Sequence, residues 1–267
     1  MFYSKSFIFD GVISETYDLR ILNFDTSSGL SESSVMGEVE LIQSWPLKRS
    51  SPYHFGVAKN NPLEFEVSIG SYNPLTASDK SKIMRWLVGR NQYKKFSVVE
   101  DDRFNGYYNV IFKYAGLYYI GNIAYGVKLM ATCDAPWGWT YPATRTFSFD
   151  GDSLQNYDIN FYNDSDNDDY LYPLISFTLS NNINSTYFTL INNSDSGRIF
   201  QFTNLNVEEA ITIDNDRKII TSSLDELRLG NFNKNWFRLV PGINKLNLVG
   251  YLTDLSMTYS FARKIGA

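Results

Sequence analysis

The stretch Leu63-Glu64-Phe65-Glu66-Val67-Ser68-Ile69 alternates apolar and polar residues without interruption. Because successive side chains of a strand point to opposite faces of a sheet, this alternation predicts a strand with one buried face. The same pattern returns at 127–133, where Cys133 is predicted to pack in a core, and at 145–149. We therefore expect a mainly β protein built from antiparallel sheets.

One segment has helical spacing instead. Thr76 and Asp79 stand three residues apart, as in a capping box, which satisfies free backbone N–H groups at a helix start. Ile83, Trp86 and Leu87 recur at positions i, i+3 and i+4 of one helix face. This narrow apolar stripe predicts a single α-helix that lies on a sheet.

Two interruptions organise the chain. Prolines break the alternation between Gln43 and Pro62, and this stretch of about 20 residues is predicted to be a belt-like loop with a functional role. The second break follows Cys133 and marks a domain boundary. We expect an N-terminal β-sandwich domain with the helix and the loop at 1–138, and a C-terminal domain at 139–267.

Turn-forming residues punctuate the second half at short intervals. They separate nine short runs with strand character, at 157–162, 174–179, 187–191, 198–202, 210–213, 218–221, 236–240, 245–249 and 255–261. This spacing predicts an antiparallel β-sandwich of jelly-roll type. In the first half, Ala115-Gly116 separates two aromatic runs and predicts a hairpin turn at that point.

The composition excludes several classes of site. A single His excludes metal sites with two imidazoles, and a single Cys excludes an intrachain disulfide and a thiolate zinc site. The net charge of −5 disfavours a dedicated nucleic-acid binder. Neither a signal sequence nor a run of about 20 apolar residues is present, so we expect no membrane insertion and synthesis in a reducing cytoplasm.

Few residues offer chemistry. Asp164, Asp166 and Asp168 alternate as in a calcium loop, but the sixth and twelfth positions do not fit an EF-hand, and a solvated loop is the favoured interpretation over cation binding. The pairs Glu208-Glu209 and Asp101-Asp102 are sequence neighbours that point to opposite faces of a strand. They are poor candidates for the carboxylate pair of a glycosidase. We predict no catalytic residue, no cofactor and no enzymatic activity.

Aromatic residues are the candidates for binding. Trp45, Tyr53, His54 and Phe55 of the proline-rich stretch, together with Trp86 of the helix, are predicted to lie at an interface with another chain. Neither a nucleophile nor an orienting acid is indicated beside His54. Trp137 and Trp139 are two residues apart and could stack on a sugar from one face of a strand, although burial is the favoured interpretation.

Several motifs taken together resemble a known family. They are Phe9-Asp10-Gly11, Arg49-x-x-Pro-Tyr-His-Phe-Gly56, Asn61-Pro-Leu-Glu-Phe65, Ile83-x-Arg-Trp-Leu87, Asp134-Ala-Pro136 and Trp236-Phe-Arg-Leu-x-Pro-Gly-x-Asn-x-Leu-x-Leu-x-Gly250. In this order they resemble the distal tail protein (Dit) family of siphophages that infect Gram-positive bacteria. The resemblance covers nearly the whole chain.

The resemblance implies a structural role in the virion tail tip or baseplate. Six N-terminal domains would form a ring that joins the tail tube protein to the tail-tip or tail-associated protein, and DNA would pass through it without specific binding. The C-terminal domains would point outward with a galectin-like fold. Some relatives grip receptor-binding proteins with a long arm inserted in this domain, and the 139–267 segment shows no such insertion.

A second function class stays open. The family's outer domain also resembles carbohydrate-binding modules, so the alternative is a protein that recognises a host cell-wall saccharide, by analogy of fold. Six-fold rings would favour the structural role, and glycan binding by the second half would favour the alternative.

Overall fold

The computed structural model describes residues 6–22, 39–99 and 105–264. The chain forms two compact units, one that runs to Tyr141 and takes in Arg263, and a second that spans Pro142–Ala262. The predicted boundary after residue 138 lies just before this division.

The described part of the first unit contains ten strands, one α-helix and one short 3-10 helix. Their bounds are β1 (Phe7–Phe9), β2 (Val12–Ile13), the 3-10 helix Ser14–Tyr17, β3 (Arg20–Ile21), β4 (Val39–Ser44), β5 (Tyr53–Asn60), β6 (Glu64–Gly70), α1 (Ala77–Leu87), β7 (Lys94–Val98), β8 (Gly106–Ile120), β9 (Ile123–Cys133) and β10 (Gly138–Thr140). Seven of these strands follow the order β2-β1-β7-β8-β9-β6-β3, and β10 pairs with β8. All the strand pairs along this order are antiparallel.

The helix confirms the sequence prediction. Thr76 caps α1 and exchanges hydrogen bonds with Asp79 in a capping box, while Gly89 follows the helix with a φ of +75°. Ile83, Trp86 and Leu87 are buried in the core of the first unit, among the apolar residues of the sheet. Cys133 is buried in the same core, as predicted.

The predicted turn at Ala115-Gly116 is wrong, because β8 continues through it. A Cβ at Gly116 would lie 2.8 Å from the Tyr114 hydroxyl, so this glycine makes room for a neighbouring ring within the strand. The hairpin turns instead between β8 and β9, where Gly121 has a φ of +61°. Tight hairpin turns need residues with positive φ, a backbone conformation that glycine adopts without strain.

The proline-rich stretch also differs from the prediction of a loop. β4 and β5 form a two-stranded antiparallel sheet, with Ser44 opposite Tyr53 and Gln43 opposite His54. Tyr53, Phe55 and Val57 alternate along β5, but prolines on both sides interrupt the pattern and these side chains are exposed instead of buried.

The second unit is a sandwich of two antiparallel sheets, as predicted. Its strands are β11 (Ala143–Ser148), β12 (Gln155–Asn163), β13 (Leu174–Leu179), β14 (Phe188–Asn192), β15 (Arg198–Phe202), β16 (Ala210–Asp214), β17 (Ile219–Ser222), β18 (Gly242–Gly250) and β19 (Leu252–Tyr259), followed by β20 (Ala262–Arg263). One sheet has the order β11-β19-β13-β16-β17 and the other β12-β18-β14-β15. The inward faces form one core rich in Phe, Leu and Ile.

The strand predicted at 236–240 is wrong. In this segment only Leu239 makes a β-bridge, to Leu171, and the backbone N–H of Phe237 donates instead to the side-chain amide of Asn215 at 2.8 Å. Phe237 and Leu239 are both buried. The apolar alternation therefore reflects burial in an irregular segment.

Candidate functional site

The hairpin β4–β5, from Val39 to Asn60, is the most unusual surface of the first unit, and we call it the apolar hairpin. Within the described residues, its two strands pair only with each other. Its exposed large apolar side chains are Leu41, Ile42, Trp45, Leu47, Tyr53, Phe55 and Val57. Isolated two-stranded hairpins are marginally stable in water, and contiguous exposed apolar surface marks interaction sites.

The apolar hairpin brings together four of the five predicted interface residues. Trp45 is 66% exposed and Phe55 65% exposed. The rings of Tyr53 and Phe55 are 6.4 Å apart, and the guanidinium of Arg49 lies 4.2 Å from the Tyr53 ring centre. His54 is exposed on the same strand. Tyr53, Phe55 and Arg49 thus form a preassembled aromatic surface, and Trp45 and His54 are exposed on the same hairpin.

Trp86, the fifth predicted interface residue, is placed elsewhere. Its indole lies in the core, stacked on Tyr17 at 4.7 Å and on Phe7 at 5.7 Å. Its ring N–H donates to the carbonyl of Phe9 at 3.1 Å. The side chain is thus fully occupied within the subunit.

Sequence reasoning missed the aliphatic part of the apolar hairpin. Leu41, Ile42 and Val57 are about half exposed and Leu47 is 97% exposed. Strand periodicity signals a buried face, so it gave no reason to expect strands whose apolar side chains are exposed. The available signal was the density of large apolar residues inside a proline-punctuated stretch.

The two tryptophans after the second break are close but not coplanar. Trp137 is buried, and its ring meets that of Trp139 edge-on, with centres 6.3 Å apart and an angle of 77° between the planes. A sugar stacks on an accessible flat face, which this pair does not share. Saccharide stacking on these two residues stays a prediction.

The acidic run lies in the loop between β12 and β13. Asp164, Asp166 and Asp168 are exposed, and the backbone N–H of Asp166 donates to the carbonyl of Ala262 at 3.0 Å. Across the described residues, no group of three or more His, Cys, Asp or Glu side chains is placed to hold a metal ion.

An aromatic-lined cavity of about 390 Å³ lies in the second unit. The ring of Tyr157 is 6.3 Å from that of Phe147 and 5.8 Å from that of Phe149, and both contacts are edge-to-face. Asp150 accepts a hydrogen bond from Gln155 at 3.1 Å at the same site. The cavity combines aromatic walls with three polar residues, Ser148, Asp150 and Gln155, and its volume falls in the small-ligand range.

The only thiol is unsuited to nucleophilic chemistry. Burial raises the pKa of Cys133 far above its usual value, and the neighbouring charges of Asp134 and Glu64 add to the effect. The thiolate is the reactive form of cysteine, so this side chain is inert at neutral pH. Among the described helices, none is long and apolar enough to cross a membrane.

Comparison with known proteins identifies two regions. Residues 2–135 match the family model described as a phage tail protein N-terminal domain, and residues 137–259 match a phage tail C-terminal domain. No curated protein sequence matches the chain. The fold is similar to the crystal structure of SPP1 Dit (gp 19.1), titled a paradigm of the hub adsorption apparatus in phages that infect Gram-positive bacteria. The TM-score is 0.69 at 12% identity, over 96% of this chain and 98% of that one.

Proposed function

Since the chain belongs to the family of phage tail proteins defined by these two domains, we propose that it is a distal tail hub, a ring of six subunits at the tail tip. The family makes it a structural component of the virion tail, and the resemblance drawn from the sequence is confirmed. The number of subunits follows the resemblance alone, and the hub role follows the resemblance and the description of SPP1 Dit.

The exposed apolar hairpin is the observation that carries the proposal. A closed ring needs heterologous contacts, in which one surface patch of each copy meets a different patch of the next. The apolar hairpin supplies such a patch, because its aromatic and aliphatic side chains have no core of their own. It packs on the neighbouring subunit and acts there as a belt, which removes its apolar surface from water.

The ring joins two kinds of partner. One face meets the tail tube protein and the other the tail-tip or tail-associated protein, while DNA passes through without specific binding. The net charge of −5 per chain is consistent with such a passage, because a neutral or mildly acidic lumen would not hold phosphates. The protein is made in the host cytoplasm and has no enzymatic role.

Imaging of purified protein and virions tests this proposal. Negative-stain images are expected to show six-fold rings, and antibodies against the chain are expected to label the distal end of the tail. Labelling along the tube or at the capsid would contradict the proposal, and so would a purified protein that forms no rings in the presence of tail tubes.

Saccharide binding is the second candidate function, and the aromatic-lined cavity favours it. Tyr157 is half exposed between two phenylalanines, and Asp150 and Gln155 lie beside it as polar groups for sugar hydroxyls. Ligand-observed NMR on the full chain with common cell-wall monosaccharides tests it. Binding lost in Tyr157→Ala but kept in Tyr162→Ala, an exposed tyrosine of the same strand, would support the candidate. Absence of binding in the native protein would refute it.

A further inference from the structure

Four loops meet at one end of the C-terminal sandwich, and we call them the distal loop end. They are residues 150–154, 180–187, 203–209 and 223–230. Hydrogen bonds join them: the Asn182 side chain donates to the carbonyl of Asp152 at 3.2 Å, and the backbone N–H of Glu208 donates to Ser180 at 3.1 Å. β19 begins beside these loops and runs to the opposite end of the sandwich, where the chain leaves the second unit after Ala262. The distal loop end is thus opposite the end at which the chain enters β11 and leaves β19.

This end exposes large apolar side chains. Leu227 is 97% exposed and Ile183 is 85% exposed, and Leu224 and Leu229 are each about half exposed. Single surface leucines need no explanation, but three within six residues, with Ile183 exposed in another loop of the same end, concentrate apolar surface here, and we call these four side chains the patch.

A buried ion pair holds this patch in place. Arg228, between Leu227 and Leu229, is only 7% exposed and donates two hydrogen bonds of 2.7 Å to the buried carboxylate of Glu209. Ser222 donates to the same carboxylate at 2.6 Å. Because the arginine is fixed inward, its two leucine neighbours are displayed outward in a set geometry. Such preorganisation lowers the entropic cost of binding.

The rim of the patch is acidic. Asp150, Asp152, Glu208, Asp225 and Glu226 are exposed in these loops. Within the four segments, all of which the structure describes, the only basic residue is Arg228, which is buried and paired with Glu209 and Glu226. The patch therefore repels a second copy of itself and anionic surfaces such as nucleic acid.

We propose that the distal loop end docks another tail protein, through an apolar surface of that partner flanked by Lys and Arg residues. The leucines and Ile183 bury against the apolar centre, and the acidic rim selects the basic flanks. This contact is separate from the apolar hairpin, so it does not depend on ring formation.

Photocrosslinking in intact virions tests the proposal. A photoreactive amino acid replaces Leu227 in the phage, and the same substitution at Ile243, exposed on the outer face of β18, serves as the matched control. We expect Leu227 to cross-link to a different polypeptide, at a peptide with Lys or Arg beside apolar residues. Cross-links only to copies of this chain, to an acidic peptide, or at no more than the Ile243 yield would overturn the proposal.

Charge reversal provides an independent arm. Glu208→Lys with Asp225→Lys leaves the apolar patch and the buried pair in place, and both residues are exposed. Placing like charges at the contact is expected to lower the Leu227 cross-link yield by about tenfold. An unchanged yield would overturn the acidic-rim part of the proposal. Virions that carry the double charge reversal should still have the hub at the tail tip. This result would show that the contact at the distal loop end is separate from ring formation.

Discussion

Arg228 and Glu209 form a bidentate ion pair, with two donor–acceptor distances of 2.7 Å, in which both side chains are buried. The pair links the loop before β16 to the segment after β17. The charged form of each partner depends on the other, because burial removes the water that would otherwise solvate it. The pair therefore organises the distal loop end.

Removing one partner should be costly. Arg228→Met leaves the Glu209 carboxylate buried without its counter-charge, and the free energy of unfolding is expected to fall by about 3–5 kcal/mol. Glu209→Gln combined with Arg228→Met should lose less, because the amide can still accept from Ser222. Urea denaturation of the full chain measures both. A single variant within about 0.5 kcal/mol of the native protein would contradict the account.

The same pair predicts a pH dependence. Burial alone would raise the pKa of Glu209, but hydrogen bonds from Arg228 and Ser222 outweigh it, and the pKa lies below its usual value of 4.5. A carboxyl with a lowered folded-state pKa adds stability above the unfolded-state pKa, and this stability is lost as pH falls through the folded-state pKa. Stability of the native protein should thus fall more steeply below pH 4.5 than that of Glu209→Gln. The matched control is Glu208→Gln, at an exposed neighbour outside the ion pair.

Trp86 should be needed for folding of the first unit. Trp86→Phe keeps an aromatic ring but leaves the Phe9 carbonyl without its indole donor. The lost indole hydrogen bond and the smaller ring are expected to lower the free energy of unfolding by about 1–3 kcal/mol. Thermal unfolding measures the loss against Tyr119→Phe, an exposed control on β8. Equal transition temperatures would show that the hydrogen bond contributes nothing.

Asn244 should be intolerant of substitution. It is fully buried, accepts from the backbone N–H of Val240 and from Asn192 at 2.9 Å each, and donates to the Val240 carbonyl at 2.8 Å. Asn244→Leu removes these hydrogen bonds. It should lower the free energy of unfolding by about 1–3 kcal/mol for each buried polar group that is left without a partner. Asn247→Leu, on the outer side of the same strand, is the control. Equal denaturation midpoints for the two variants would contradict this role.

Sequence reasoning succeeded where burial is one-sided. The helix was predictable because its cap and its apolar stripe are both local in sequence. Most strands of the second unit were predictable because each has one face in the core. The strand prediction at 236–240 was wrong because alternating burial in an irregular segment gives the same sequence pattern as a strand.

The site was only partly predictable. The aromatic residues of the apolar hairpin stood out, but its strands did not, because the alternation of Tyr53, Phe55 and Val57 is short and lies between prolines. The roles of Asn244 and Arg228 depend on contacts with residues far away in the chain, which a single sequence does not display.

The mass of the purified protein under native conditions tests the central claim most directly, that copies assemble through the apolar hairpin. The native chain should form six-subunit species as concentration rises. Phe55→Asp, which places a charge in the exposed apolar surface, should remain monomeric and folded, while Leu227→Asp, a matched change at the distal loop end, should still assemble. A native chain that stays monomeric even with tail tubes present, or a Phe55→Asp variant that assembles like the native chain, would contradict the account.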